Sequence, residues 1–144
     1  MRVEIHQVQK VEDEKALIYF KEKTHEVEQA VALLQLQQAY LSVMQEGRSG
    51  SIPIRDIYYI ESVDKKTYVY TKTDCYESKY RLYELEAALD HRFHRCAKAM
   101  IVNITKIRHV HSQVYGRMEA HLLNGETVII SRSYVKDFKK GLGL

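Results

Sequence analysis

"FHRCAKAMIVNITKI", Phe93 to Ile107, sets two cations, Arg95 and Lys98, directly ahead of an apolar run, Met100, Ile101 and Val102. A short apolar run with polar flanks is the pattern of a buried strand. Burying it would anchor the cationic segment in front of it and hold Arg95 and Lys98 in fixed positions. Asn103, at the end of the run, is suited to turn the chain between Val102 and Ile104 through its side-chain hydrogen bonds.

Outward from this stretch the chain is rich in strands. IYYIES (Ile57 to Ser62) and TYVYTK (Thr67 to Lys72) are separated by the charged turn Val63, Asp64, Lys65 and Lys66, so two cations belong to a hairpin tip. A short helix, LYELEAAL, follows, with Leu82, Leu85 and Leu89 on one face. Beyond Ile107, Val110, Ser112 and Val114 read as one side of a strand. Met118, Ala120 and Leu122 read as one side of the next, with Gly116 turning between the two. Asn124-Gly125 is a strong hairpin signal leading into the strand TVIIS. The last segment, SYVKDFKKGL, reads as a helix with Tyr134, Val135 and Phe138 inward and Lys136, Lys139 and Lys140 in water. The expected class is α+β, mostly β, a multi-sheet antiparallel domain with short helices.

Upstream, GRSGS (Gly47 to Ser51) reads as a turn or short linker. Before it, the alternation at Val3 and Ile5 and the run ALIYF (Ala16 to Phe20) read as two strands. A helix then opens at Thr24 as N-cap, with Glu26 and Glu28 in its first turn. Val27, Ala30, Val31 and Leu34 give it one apolar stripe. The expected organisation is a small ββα extension over residues 1–46, which packs or dimerises through that stripe, and a second domain over 51–144.

A chain of 144 residues is long enough to bury roughly two thirds of its unfolded surface. No apolar stretch approaches the roughly 20 residues of a membrane span, and the N-terminus carries charge where a signal peptide would be apolar. A cytoplasmic protein without membrane attachment is expected. Cys75 and Cys96 are too few for a disulfide framework or a four-cysteine zinc site, and read as reduced thiols. The net charge is +3 but uneven. Residues 1–50 hold six Lys or Arg against eight Asp or Glu, giving −2, and residues 51–144 hold sixteen against eleven, giving +5. Any polyanion contact therefore belongs to the downstream part.

Motifs of catalysis are missing from the sequence: it has no phosphate-binding glycine loop, no HExxH and no GxSxG elbow, and no enzymatic activity is expected. Five of seven histidines fall between His91 and His121. His91 and His94, with Cys96 near, and His109 with His111 on one strand face, are the candidate metal ligands. Histidines on a polar strand face are commonly just solvated, and neither a metal nor a cofactor is expected. Of eleven tyrosines, seven lie between Tyr58 and Tyr83; strands favour tyrosine, and sheet-face packing is the expected use.

In their order, IPIRDIYYIES, a basic turn, YVYTK, RLYELEAAL, FHRCAKAMIVNITKI and LLNGETVIISRSYV resemble the LytTR DNA-binding domain, over about Ser51 to Leu142. Residues 1–46 do not resemble the phosphoacceptor domain that often precedes it, and look like the short extension of stand-alone regulators. The resemblance implies a mostly β fold that binds duplex DNA through loops, entering successive major grooves from one face. Its first recognition loop corresponds to Asp64, Lys65 and Lys66, its second to Arg95 through Asn103, and its third to Ser131, Arg132, Ser133 and Tyr134. Ala97 and Ala99 stand where the family motif has histidine and serine, and Ser133 stands where it has a second basic residue.

The residues themselves support contacts from Lys98, Arg132 and one of Lys65 or Lys66, with Arg95, Ser133 and Lys136 in support. Lys98 can meet phosphate or a guanine edge. Arg132 precedes a helix start that Ser133 could cap, and free N–H groups there favour an anion. The expected function is a sequence-specific transcriptional regulator on double-stranded DNA, on repeated half-sites if the chain forms a homodimer. A protein-interaction or ligand-sensing module without DNA binding is the alternative.

Overall fold

The structure is a computed structural model. It describes the backbone of all residues, and side chains other than those of Val11, Ala32, Leu33 and 35–38. The chain divides into two compact units, Met1–Leu36 and Gln37–Leu144.

The first unit contains a turn of 3-10 helix at Val11–Asp13 and most of helix α1 (His25–Gln38). Thr24 caps α1 as expected, its hydroxyl accepting from the Val27 amide at 3.3 Å. The strands expected around Val3 to Ile5 and Ala16 to Phe20 do not form. Val3, Ile5, Leu17, Tyr19 and Phe20 are exposed. Alternation alone makes no strand, because an extended segment needs a neighbour to take up its N–H and C=O groups.

The second unit contains ten strands. They are β1 (Tyr40–Gln45), β2 (Arg48–Pro53), β3 (Tyr59–Val63), β4 (Lys66–Tyr70), β5 (Cys75–Ser78), β6 (Phe93–Ala97), β7 (Met100–Asn103), β8 (Ile107–Ser112), β9 (Met118–Leu122) and β10 (Thr127–Ile130). Helix α2 (Leu82–Ala88) joins β5 to β6, and α3 (Val135–Gly141) ends the chain. Seven strands form one antiparallel sheet in the order β2-β1-β5-β4-β3-β7-β6, and three form a second in the order β10-β9-β8.

GRSGS is not a linker. Glu46 and Gly47 both have positive φ, 50° and 75°, the two-residue turn that matches strand twist. Arg48 to Pro53 then pair in register with Gln45 to Tyr40. The boundary expected between 46 and 51 thus falls inside a hairpin, and β1 is a strand of the large sheet. A glycine-serine strand has no side-chain pattern to betray it; the main-chain ladder holds it.

The opening stretch forms β6, a turn and β7. β7 lies between β3 and β6 and is buried on both faces. Ile101 joins a core with Ile57, Ile60, Val69, Phe93 and the α2 residues Leu82 and Leu85. Val102, its neighbour, joins a second core with Cys96, Met118, Leu122, Ile130 and Phe138, beneath the small sheet and α3. The expected inward faces of α2, β9 and α3 are therefore correct, whereas Val114 lies in a turn and is exposed.

Asn103 is fully buried. Its amide donates to the Ile57 carbonyl at 2.8 Å, and its side-chain oxygen accepts from the Thr105 amide at 3.0 Å and the Thr105 hydroxyl at 2.7 Å. Its backbone N–H donates to Tyr58 at 2.9 Å. One side chain thus turns the end of β7 and ties it to the start of β3. Asn103→Ala should lower stability by about 1–3 kcal/mol, the usual penalty for stranding buried polar partners, read as a lower urea midpoint with an unchanged m-value.

Candidate nucleic-acid interface

Main-chain hydrogen bonds gather the three expected loops at one end of the fold. β3 and β4 meet in a two-residue turn whose residues Asp64 and Lys65 have φ of 49° and 66°. β6 and β7 meet at Lys98 and Ala99. Because β3 pairs with β7, the Ser62 amide reaches the Ala99 carbonyl at 2.8 Å. The two tips are therefore side by side, about two strand spacings or roughly 10 Å apart. After β10, the Ser131 amide donates to the Cys96 carbonyl at 2.8 Å, bringing Arg132 to the same end of β6.

A bulge shapes the second loop. Arg95 opposes Ile101 and Ala97 opposes Met100, leaving Cys96 as the extra residue. Such a bulge re-aims side chains; here Cys96 turns into the core with no exposed surface. The Arg95 Nε donates to the Ala97 carbonyl at 3.0 Å, its guanidinium also reaches the Lys98 carbonyl, and it pairs with Glu86. Arg95 is thus largely committed to its own loop, bracing the turn that displays Lys98.

Lys65, Lys66, Lys98, Arg132, Ser133 and Lys136 are all exposed. Among the described residues, none of these cations lies within ion-pair distance of a carboxylate. Lys66 alternates with the buried Thr67 and so shares a face with Tyr68 and Tyr70. The same face carries Tyr59, stacked on Tyr70 with centroids 4.4 Å apart, and its hydroxyl donates to Glu126 of the small-sheet hairpin at 2.6 Å. Burial in this packing, reinforced by Glu126, pushes the Tyr59 hydroxyl well above the usual tyrosine range.

Ser133 does not cap a helix. It sits inside a 3-10 turn, Arg132–Tyr134, and the residue preceding α3 is Tyr134. The amides of Tyr134 and Val135 already donate to Ser131 and Arg132, so this turn has fewer free N–H groups for an anion than the sequence suggested.

Gly116, which marks a turn in the sequence, has a second role that only the fold shows. A Cβ on Gly116 would lie 2.9 Å from Cγ and Cδ of Arg132, and Gly116 has φ of 75°. The β8–β9 turn therefore supports the Arg132 stem, and exposed Tyr115 and Arg117 flank that contact. The only available signal was the glycine beside Arg117.

The first histidine group does not converge. His94 Nε2 is 2.9 Å from the His91 carbonyl, its ring lies against Gly141, and Cys96 Sγ donates to the Met100 carbonyl at 3.6 Å. The cysteines are also far apart: β5 and β6 are four strands apart in the sheet, about 19 Å, beyond the reach of a disulfide.

Residues 47–143 match the family described as the LytTr DNA-binding domain. The transcriptional regulatory protein YpdB of Escherichia coli K12 is 31% identical over 102 residues, 69% of this chain and 42% of that protein. The sensory transduction protein LytT of Enterococcus faecalis is 29% identical over 105 residues, 72% of this chain and 43% of that protein. The chain thus spans about two fifths of the length of these curated relatives. A solved LytTr DNA-binding domain from Bacillus cereus superposes with a TM-score of 0.69 at 30% identity, covering 74% of this chain and 98% of that one. Among the described residues, no helix is long and apolar enough to cross a membrane.

Burial pushes the Cys96 thiol up to about 12; burial raises the Cys75 thiol as well, but that residue is exposed to reagent whereas Cys96 is not. A thiol-disulfide reagent at about pH 8 should therefore titrate one thiol per native chain and two after denaturation, because the thiolate is the reactive form.

Proposed function

The chain belongs to the LytTR family of DNA-binding domains, and from that premise we propose that it acts as a sequence-specific transcriptional regulator that grips duplex DNA with the loops at Lys66, Lys98 and Arg132. The observation that carries this reading is the pair of hydrogen bonds, Ser62 to Ala99 and Ser131 to Cys96, that unites three chain-distant cationic loops. Hairpin tips roughly 10 Å apart suit a major groove about 12 Å wide. Lys98 and Arg132 take the direct contacts, with Lys66 favoured over Lys65 because its strand face is the one that bears the small sheet. Arg95 is assigned to positioning Lys98, and Ser133 and Lys136 to the margin of the surface. Residues 1–36 are assigned to an extension whose helix packs or pairs with a second copy. No catalytic role is proposed, and the cytoplasm is the compartment this reading requires.

Phosphate contacts release counterions, so affinity should fall with salt, each contact adding about 0.9 to the log–log slope. Duplex selection from a random pool gives the site, with spaced repeats expected if two copies bind. On that site, Lys98→Ala should cost about 1–3 kcal/mol and relax preference at one position if it reads a base, whereas Arg132→Ala should weaken all duplexes and flatten the slope by about one phosphate. Arg95→Ala should lower affinity with the slope unchanged, since Arg95 braces a loop and touches no phosphate. An affinity independent of salt would overturn the reading.

Gly116→Ala offers a test that leaves every cation in place. It forces a side chain to positive φ, about 1 kcal/mol of strain, and pushes on the Arg132 stem. Its binding defect in a mobility-shift titration should resemble a partial Arg132→Ala, falling on all duplexes alike.

A further inference from the structure

The second histidine group behaves differently from the first. In the ladder between β8 and β9, His109 faces His121 and His111 faces Glu119. Alternate residues of a strand share a face, so these four side chains form a square on the outer face of the small sheet. Val110, Met118, Ala120 and Leu122 alternate with them and are packed in the core beneath, giving the square a firm floor. The His109 and His121 rings lie 4.5 Å apart, and those of His111 and His121 5.0 Å apart. One ring nitrogen from each of the three histidines lies within 4.8 Å of the others.

We propose that His109, His111 and His121, with Glu119, bind one divalent transition-metal ion of the zinc, nickel or copper class. Imidazole nitrogens bind zinc at about 2.0–2.1 Å, so tetrahedral ligands sit about 3.4 Å apart. Small side-chain rotations close a 4.8 Å cluster to that spacing. A set of three imidazoles favours zinc, nickel or copper over magnesium or calcium, which prefer oxygen.

The surroundings resemble a supporting shell. Thr127 Oγ1 lies 3.3 Å from Nδ1 of His121, leaving Nε2 as the free ligand atom. That Nε2 is shielded from solvent and 2.9 Å from Glu119 Oε1, yet it lacks the alignment of a directed hydrogen bond. Glu119 Oε2 is 3.6 Å from Nε2 of His111 and accepts from Nε2 of the Gln113 side chain. Partners of this kind orient ligands and tune affinity. The strand pairing adds two members, His121 and Glu119, that the His109 and His111 pair lacked in the sequence, and so revises the expectation of no metal. The same hairpin ends at Gly116 under Arg132, but the metal site stands or falls without reference to DNA.

The test uses the full chain, free of any purification tag and stripped with chelator. Calorimetric titration with Zn²⁺ should give one ion per chain, and Co²⁺ should show the visible absorption of a low-coordinate nitrogen-ligated site. His109→Ala/His111→Ala removes two exposed side chains, so circular dichroism should remain native while saturable uptake disappears. Glu119→Gln should weaken binding about 10- to 100-fold, and His91→Ala should leave it intact. Absence of saturable uptake by the native chain, or uptake unchanged in the double variant, overturns the proposal.

Discussion

Strand β7 is held between β3 and β6 by ladder hydrogen bonds and locked at its end by Asn103, and the rest of the architecture follows from that placement. Ile101 and Val102, adjacent in sequence and both without exposed surface, belong to the two different cores. Slipping β7 by one residue would exchange these faces, because the side-chain period of a strand is two. Asn103 opposes such a slip: a fully buried amide satisfied by Ile57 and Thr105 would strand its partners if moved. Register, once fixed, determines which residues reach the sheet edge.

The loops inherit their positions from that register. Pairing of β3 with β7 puts the 64–65 and 98–99 turns next to each other, and the bulge at Cys96 leaves Lys98 at a tip that Arg95 braces. The Ser131 to Cys96 bond then adds Arg132. No single loop is long or glycine-rich, and main-chain bonds to the neighbouring strand hold each one, so little conformational freedom is left to lose on binding. The LytTR family assignment and this local geometry point the same way.

Much of this was legible in the residues. Alternation at Met118, Ala120 and Leu122, the Asn124-Gly125 turn and the leucines of α2 each encode their element locally. The β1–β2 hairpin was hidden because Arg48 to Ser51 carry no apolar pattern, and its clue was the two-residue turn Glu46-Gly47 rather than any strand signal. Val3, Ile5 and Ala16 to Phe20 misled for the opposite reason, having pattern without a pairing neighbour. In the proposed interface, the cations of the three loops could be listed from sequence, but the bonds of Arg95 to its own turn could not. An arginine that bonds the carbonyls of its own turn is written no differently from one in water. The square of His109, His111, Glu119 and His121 was likewise unreadable, since only strand pairing makes neighbours of 109 and 121.

The claim at the centre is that three loops distant in the chain act as a single DNA-facing surface. Amide chemical shifts followed while a selected duplex is titrated into the isotopically labelled chain test it most directly. Signals at Lys66, Lys98 with Ala99, and Arg132 with Ser133 should shift along one common binding curve, while those of α1 and the outer face of β8 and β9 stay in place. Shifts confined to one loop, or curves with different midpoints for the three, would contradict it.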